Sequence, residues 1–288
     1  MDHEGRIAKV RDGLGDELDG LLVTNLTNVR YLTGFSGTNG QVLVTRDGAL
    51  FLTDPRYESR AGDIVHGADI VVYPSRLTEV LGDRLQSASV RRLGVEATTM
   101  TIAGMEDLDE KLDGVGLIGT KNVVENLRRI KEPAEIDLMR RAADITADAY
   151  TWVCDRIVVG ATERQVALDL EIHMRQNGAD ETSFDPIVGS GPLSAHIHHS
   201  PSDRAFEKGD FVLMDFGCRV DGYCSDFTRT VVLGAASDEQ RESYELVLSA
   251  HMAGIDAIRA GATGVDVDEA SRAVVRSAGR VEQFGHGL

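Results

Sequence analysis

Phe211-Val212-Leu213-Met214-Asp215-Phe216-Gly217-Cys218-Arg219-Val220-Asp221-Gly222-Tyr223-Cys224-Ser225-Asp226-Phe227-Thr228-Arg229-Thr230 is the stretch on which the fold turns. Asp221-Gly222 lies between two apolar runs, and this dipeptide suits the two positive-φ positions of a hairpin turn. With that pair at the turn, Asp226 falls opposite Gly217, and Asp215 lies two residues from Gly217 on the same face. The two carboxylates become diagonal neighbours, about 7–8 Å apart at the Cα level. Acidic side chains so placed can converge on hard or borderline cations at about 2.0–2.2 Å. An Asp near a strand end is ordinarily a turn or surface residue, since Asp is depleted in strands. Asp215 differs, because it interrupts an apolar run. A carboxylate there calls for a cation or strong donors.

Upstream, Ser194-Ala195-His196-Ile197-His198-His199-Ser200-Pro201-Ser202-Asp203-Arg204 gathers three of the eight histidines within four residues. If this stretch is extended, His196 and His198 share a face and His199 takes the other. A proton shuttle, an oxyanion donor or a ligand role fits histidines so close to the Asp hairpin. Cys218 and Cys224, flanking a pair of carboxylates, read as buried thiols.

Helical patterns surround this β-rich block, which runs from about Ser183 to Leu233. A long helix opens at Pro133, with Ile136, Met139, Ala143, Ala149, Val153 and Ile157 as its apolar stripe and Gly160 as its stop. Thr162-Glu163-Arg164-Gln165 reads as a capping box for a second helix ending at Gly178. Ser237 opens a third helix, and a fourth runs from about Asp266 to Gly279. The expectation for this half is α+β, with helices covering one side of an antiparallel sheet. The first half alternates strand candidates (21–24, 41–44, 49–53, 69–73 and 92–95) with helical stretches, and Arg46-Asp47-Gly48 reads as a hairpin turn. Its Gly-rich loop, Gly34 to Gly40, has the wrong spacing for a phosphate-binding fingerprint and reads as a flexible connector. The boundary between an α/β domain at 1–128 and the α+β domain at 129–288 falls in the segment Asn122 to Pro133.

Composition narrows the partners. A formal net charge of −17 and a single Trp argue against nucleic acid and anionic membrane surfaces. No apolar run reaches the roughly 20 residues that a membrane helix needs. The N-terminus lacks the layout of a secretory signal. Three cysteines without Cys-x-x-Cys spacing read as reduced thiols. These features lead us to expect a cytoplasmic protein.

Taken together, these motifs resemble the creatinase/aminopeptidase P group of pita-bread metallopeptidases. The resemblance rests on Asp215 with a second Asp eleven residues on within Ser225-Asp226-Phe227-Thr228-Arg229-Thr230, and on Phe284-Gly285-His286-Gly287. It is supported by Asn25 to Phe35, Leu52-Thr53-Asp54-Pro55-Arg56-Tyr57, Arg129 to Ile136, and Ser190-Gly191-Pro192 through His198-His199 and Asp203-Arg204. The resemblance implies a creatinase-like N-terminal domain and a pita-bread catalytic domain. It implies Asp215 and Asp226 as metal ligands, Asp226 bridging, for two divalent metal ions, manganese in most of this group. His198 would be the active-site histidine, and His286 would lie by the substrate without ligating metal. The implied reaction is removal of the N-terminal residue from peptides with Pro in second position, by attack of a metal-bridging water. A homodimer is implied as well.

The family uses two Asp, one His and two Glu as ligands, and only the two Asp have counterparts among these 288 residues. The expectation is therefore of a catalytic domain truncated at its C-terminus, a fragment that binds metal poorly and hydrolyses little. An Xaa-Pro dipeptidase is the alternative enzyme on the same scaffold. An inactive pita-bread binding module is the alternative of another class.

Overall fold

A computed structural model describes residues 1–288 as two compact units, Met1–Asp137 and Leu138–Leu288. The first contains strands β1 (Gly20–Val23), β2 (Gln41–Thr45), β3 (Ala49–Thr53), β4 (Asp69–Val72), β5 (Arg92–Glu96) and β6 (Gly116–Thr120) in one sheet of order β4-β3-β2-β1-β5-β6. Only β2 runs against the others, so five strands end on the same side. Helices α1 (His3–Asp12), α2 (Leu26–Thr33), α3 (Glu58–Ile64), α4 (Leu77–Ser87), α5 (Ile102–Lys111) and α6 (Val123–Arg128) connect and cover them.

The period of two along each strand divides the core. Leu21, Val23, Val42, Val44 and Phe51 pack with residues of α1, α2 and α6, while Leu22, Leu43 and Leu52 pack with residues of α4 and α5. The expected strands and the 41–53 hairpin are present. β6 was not foreseen, because Gly116 and Gly119 weaken its strand pattern. The Gly34–Gly40 loop is not a loose connector. Phe35 within it is buried against Phe51, and Asn39 is tied to Asp54 and Tyr73.

The second unit is α+β, as expected. Helices α7 (Pro133–Cys154), α8 (Glu163–Gln176), α9 (Asp238–Ala257) and α10 (Gly264–Ser277) accompany two antiparallel three-stranded sheets. One joins β7 (Glu181–Thr182), β10 (Cys218–Val220) and β11 (Tyr223–Cys224). The other joins β8 (Ile187–Ser190), β9 (Phe211–Phe216) and β12 (Phe227–Val232). Val188, Val212, Met214 and Phe216 form a core with Ala142, Ile145, Ala149 and Val153 of α7 and with Val166, Leu170 and Met174 of α8. The apolar stripe of α7 is therefore displaced from the expected one. Ala143 is exposed, and Ile136 and Met139 are 37% and 39% exposed. Thr162 caps α8 through Gln165 N, but the Gln165 side chain turns to Asp169, leaving only half of the expected box. Ser237 and Gln240 form the full reciprocal box on α9.

Candidate functional site

The hairpin register sets the acidic pair. Asp221 and Gly222 both take positive φ, 49° and 87°, and Val220 pairs with Tyr223 as the turn requires. The same register continues into the second sheet, where Phe227 faces Phe216 and Thr228 faces Asp215. Asp226 is thereby diagonal to Asp215, as the sequence predicts. Gly217 marks the break between β9 and β10. A Cβ there would lie 2.0 Å from the Ser225 carbonyl oxygen and 2.4 Å from Ser183 Oγ, so the two strands close tightly only over glycine. Ser225 locks this junction, since its Oγ lies 2.6 Å from Thr146 Oγ1 and accepts from the Cys218 amide at 3.0 Å.

Asp215 sits half-buried on the face of β9 opposite the core, and its Oδ1 is buried with no hydrogen-bond partner. Burial pushes its carboxyl pKa up; the Thr228 side chain works against that shift, while the Asp226 charge reinforces it and His198 opposes it. Asp226 is exposed. The structure thus brings Asp215, Asp226, Thr228 and His198 within electrostatic reach of one another. Cys218 is buried, but Cys224 is exposed, contrary to expectation, because it lies at the open edge of β11.

The histidine stretch is not extended, so the expected alternation of faces fails. Gly191–Ala195 is a 3-10 turn, His198 adopts φ 56°, and both His196 and His198 are exposed. His199 instead turns inward to Glu163, with Nε2 and Oε2 2.8 Å apart. Glu163 is fully buried and also accepts from Ser190 N at 2.8 Å, Ser190 Oγ at 2.7 Å, Ser202 N at 3.0 Å and Ser202 Oγ at 2.7 Å. One carboxylate therefore ties both ends of the loop that carries His198. Burial pushes the Glu163 pKa up, but bonds from His199, Ser202 and Ser190 outweigh it and hold the group at about 2. Arg204 Nη1 completes the cluster, donating to Ser190 Oγ and to Asp210 Oδ2, each at 2.6 Å. The sequence reading assigned Glu163 to a helix cap. Its only local signal was a carboxylate in a first helical turn, and the partners that give it a second role lie 27 to 39 residues away.

His286 is placed elsewhere in the second unit. Its ring meets Phe284 edge-on at 5.8 Å, its carbonyl accepts from Arg272 Nη2, and its charge acts on Asp268. It is not among the groups that act on Asp215.

The expectation of two divalent metal ions is overturned. The orphaned Asp215 Oδ1 is the sort of atom that a cation would satisfy, but no group of three or more His, Cys, Asp or Glu side chains that could hold a metal ion is assembled anywhere in the chain. Two carboxylates, one of them exposed, leave most of a cation's coordination shell to solvent. These residues do not fit a dinuclear centre.

Similarity to known proteins is extensive. The chain matches the models of metallopeptidase family M24 over residues 137–288 and of the creatinase/prolidase N-terminal domain over residues 6–130. It is 38% identical to uncharacterized peptidase YqhT of Bacillus subtilis, over 98% of this chain and 80% of that protein. The structure of an Xaa-Pro dipeptidase from Bacillus anthracis is 36% identical and superposes with a TM-score of 0.96, covering 99% of this chain and 80% of that one. An X-Pro aminopeptidase from Thermotoga maritima is 29% identical with a TM-score of 0.86, covering 92% of this chain and 77% of that one. No helix is long and apolar enough to cross a membrane. On this fold, register and similarity, the chain belongs to metallopeptidase family M24, with a creatinase/prolidase N-terminal domain ahead of a pita-bread unit.

Proposed function

We propose that this chain recognises peptides at an Xaa-Pro bond and belongs to an Xaa-Pro peptidase. The observation that carries the reading is the cluster of Asp215, Asp226 and His198 in a chain similar throughout to such enzymes. In this reading the acidic pair attracts the free ammonium group of the substrate, and His198 donates to the carbonyl oxygen of the bond before proline. Thr228 steadies Asp215, and Glu163 holds the loop that carries His198. His286 in this reading supplies substrate contact from the Phe284–Gly287 segment.

Between the two enzyme readings, the dipeptidase is favoured over the aminopeptidase expected from sequence. The structure named as a dipeptidase matches at 36% identity and a TM-score of 0.96, against 29% and 0.86 for the one named as an aminopeptidase. With two carboxylates and no third ligand gathered about them, these 288 residues are expected to turn substrate over slowly at best. The test is hydrolysis and equilibrium binding of Ala-Pro, Ala-Pro-Ala and Ala-Gly by the purified chain. The reading expects preference for Ala-Pro over Ala-Gly, weakened by His198→Ala. Equal binding of Ala-Pro and Ala-Gly, with no turnover of either, would instead support the inactive binding module.

A further inference from the structure

The N-terminal unit contains a cleft of about 790 Å³, lined among others by Thr24, Gln41, Asp54, Tyr73, Arg76 and Asp107. Its position follows from the topology. Thr24, Asp54 and Tyr73 immediately follow the carboxyl ends of β1, β3 and β4, where the strands of an open α/β sheet leave a crevice that takes ligands. α4 and α5 begin at the same crevice, with Leu77 and Gly104 of their first turns in its wall.

Two groups on residues that line this cleft have unmet hydrogen-bonding capacity. Gln41 Oε1 is buried with no donor, although its Nε2 is held by Asn39 Oδ1 at 2.9 Å. The Tyr73 hydroxyl, on a residue 5% exposed, accepts from Asn39 Nδ2 at 2.8 Å and donates to no protein acceptor. Gln41 and Tyr73 therefore stand at the two ends of one Asn39 amide. One lacks a donor and the other lacks an acceptor. Native proteins rarely leave such buried groups unmatched. Asp54 is fully engaged by Arg56 and Asn39 and is not free to serve a ligand. The remaining rim charges are of both signs: the Arg76 guanidinium and the Asp107 carboxylate are exposed, and neither forms an ion pair.

We infer that this cleft is a binding site for a small zwitterionic amino acid or dipeptide. An N–H of the ligand meets Gln41 Oε1, a ligand oxygen accepts from the Tyr73 hydroxyl, the carboxylate lies toward Arg76, and the ammonium lies toward Asp107. The site is separate from the acidic pair of the second unit and does not depend on the peptidase reading, since nothing in the cleft selects for proline.

Glycylglycine is the probe, titrated into the full 288-residue chain by calorimetry and by amide chemical shifts. Binding is expected to shift Thr24, Gln41 and Tyr73, to weaken at least tenfold in Gln41→Leu and in Arg76→Ala, and to be unchanged in His198→Ala. Tyr73→Phe, which keeps the ring and removes the hydroxyl group together with the bond it accepts from Asn39 Nδ2, is expected to weaken it as well and serves if Gln41→Leu does not fold. Glycinamide lacks the carboxylate and N-acetylglycine lacks the ammonium, so both are expected to bind at least tenfold more weakly. No shift at Gln41 and Tyr73 under saturating probe overturns the inference, as does equal binding of glycinamide, or loss of binding in His198→Ala but not in Gln41→Leu. In the first case the two groups are met by water alone.

Discussion

Glu163 is the residue whose removal tests the site most directly. Its carboxylate has no exposed surface and accepts five hydrogen bonds from Ser190, His199 and Ser202. Those bonds lower its pKa from 4.5 to about 2, which at 1.36 kcal/mol per unit corresponds to about 3 kcal/mol of stability. The sign is that of a depressed carboxylate. The contribution is present in full above about pH 5 and is lost as pH falls from the unfolded value toward about 2. Glu163→Gln keeps the shape but turns an amide NH₂ toward groups that are themselves donors, so a loss of about 3 kcal/mol is expected at pH 7. Glu163→Ala strands two backbone amides, two hydroxyls and an imidazole, and about 3–5 kcal/mol is expected. Urea unfolding followed by Trp152 is the assay. This sole tryptophan lies on α7 in the same unit, stacked under Arg156 at 3.4 Å from the ring centroid. Repeated at pH 3, the difference between wild type and Glu163→Gln should shrink. A Gln variant within about 0.5 kcal/mol of wild type at pH 7 would refute the assignment of the buried charge as the anchor of the histidine loop.

Two further outcomes follow from the same junction. Asp215→Asn removes a half-buried charge whose Oδ1 has no partner, so stability should be unchanged or raised by about 1 kcal/mol in the same unfolding assay. A clear loss of stability would show that the carboxylate is already compensated. Gly217→Ala places a methyl 2.0 Å from the Ser225 carbonyl oxygen and should cost at least about 2 kcal/mol or prevent folding, read as loss of the cooperative Trp152 transition.

Much of this molecule was legible in local pattern. The Asp221-Gly222 turn, the register that makes Asp226 diagonal to Asp215, and the Ser237 capping box depend on residues within about a dozen positions of one another, and the structure contains all three. The unbroken apolar run Leu21-Leu22-Val23 sufficed to mark a buried strand, and all four residues of β1 are buried. By itself, then, the sequence determined the two-part α/β and α+β architecture and the placing of two carboxylates on one sheet face, because hairpin register and helix capping are short-range physics.

Tertiary structure alone decided the rest. Glu163 and His199 are 36 residues apart, and only packing of α8 against the β8 end turns a first-turn glutamate into the anchor of a loop. The faces of His196, His198 and His199 could not be read from alternation, since a 3-10 turn and a left-handed residue replaced the strand. The metal set implied by resemblance is short of ligands already in the sequence, where only the two Asp have counterparts, and the structure gathers no third ligand about them. The unmet pair Gln41 and Tyr73 likewise arises only when Tyr73, just past the end of β4, reaches the Asn39 side chain that holds Gln41. Periodicity shows which face of an element is buried, whereas partners, and the chemistry they permit, depend on where the chain returns in space.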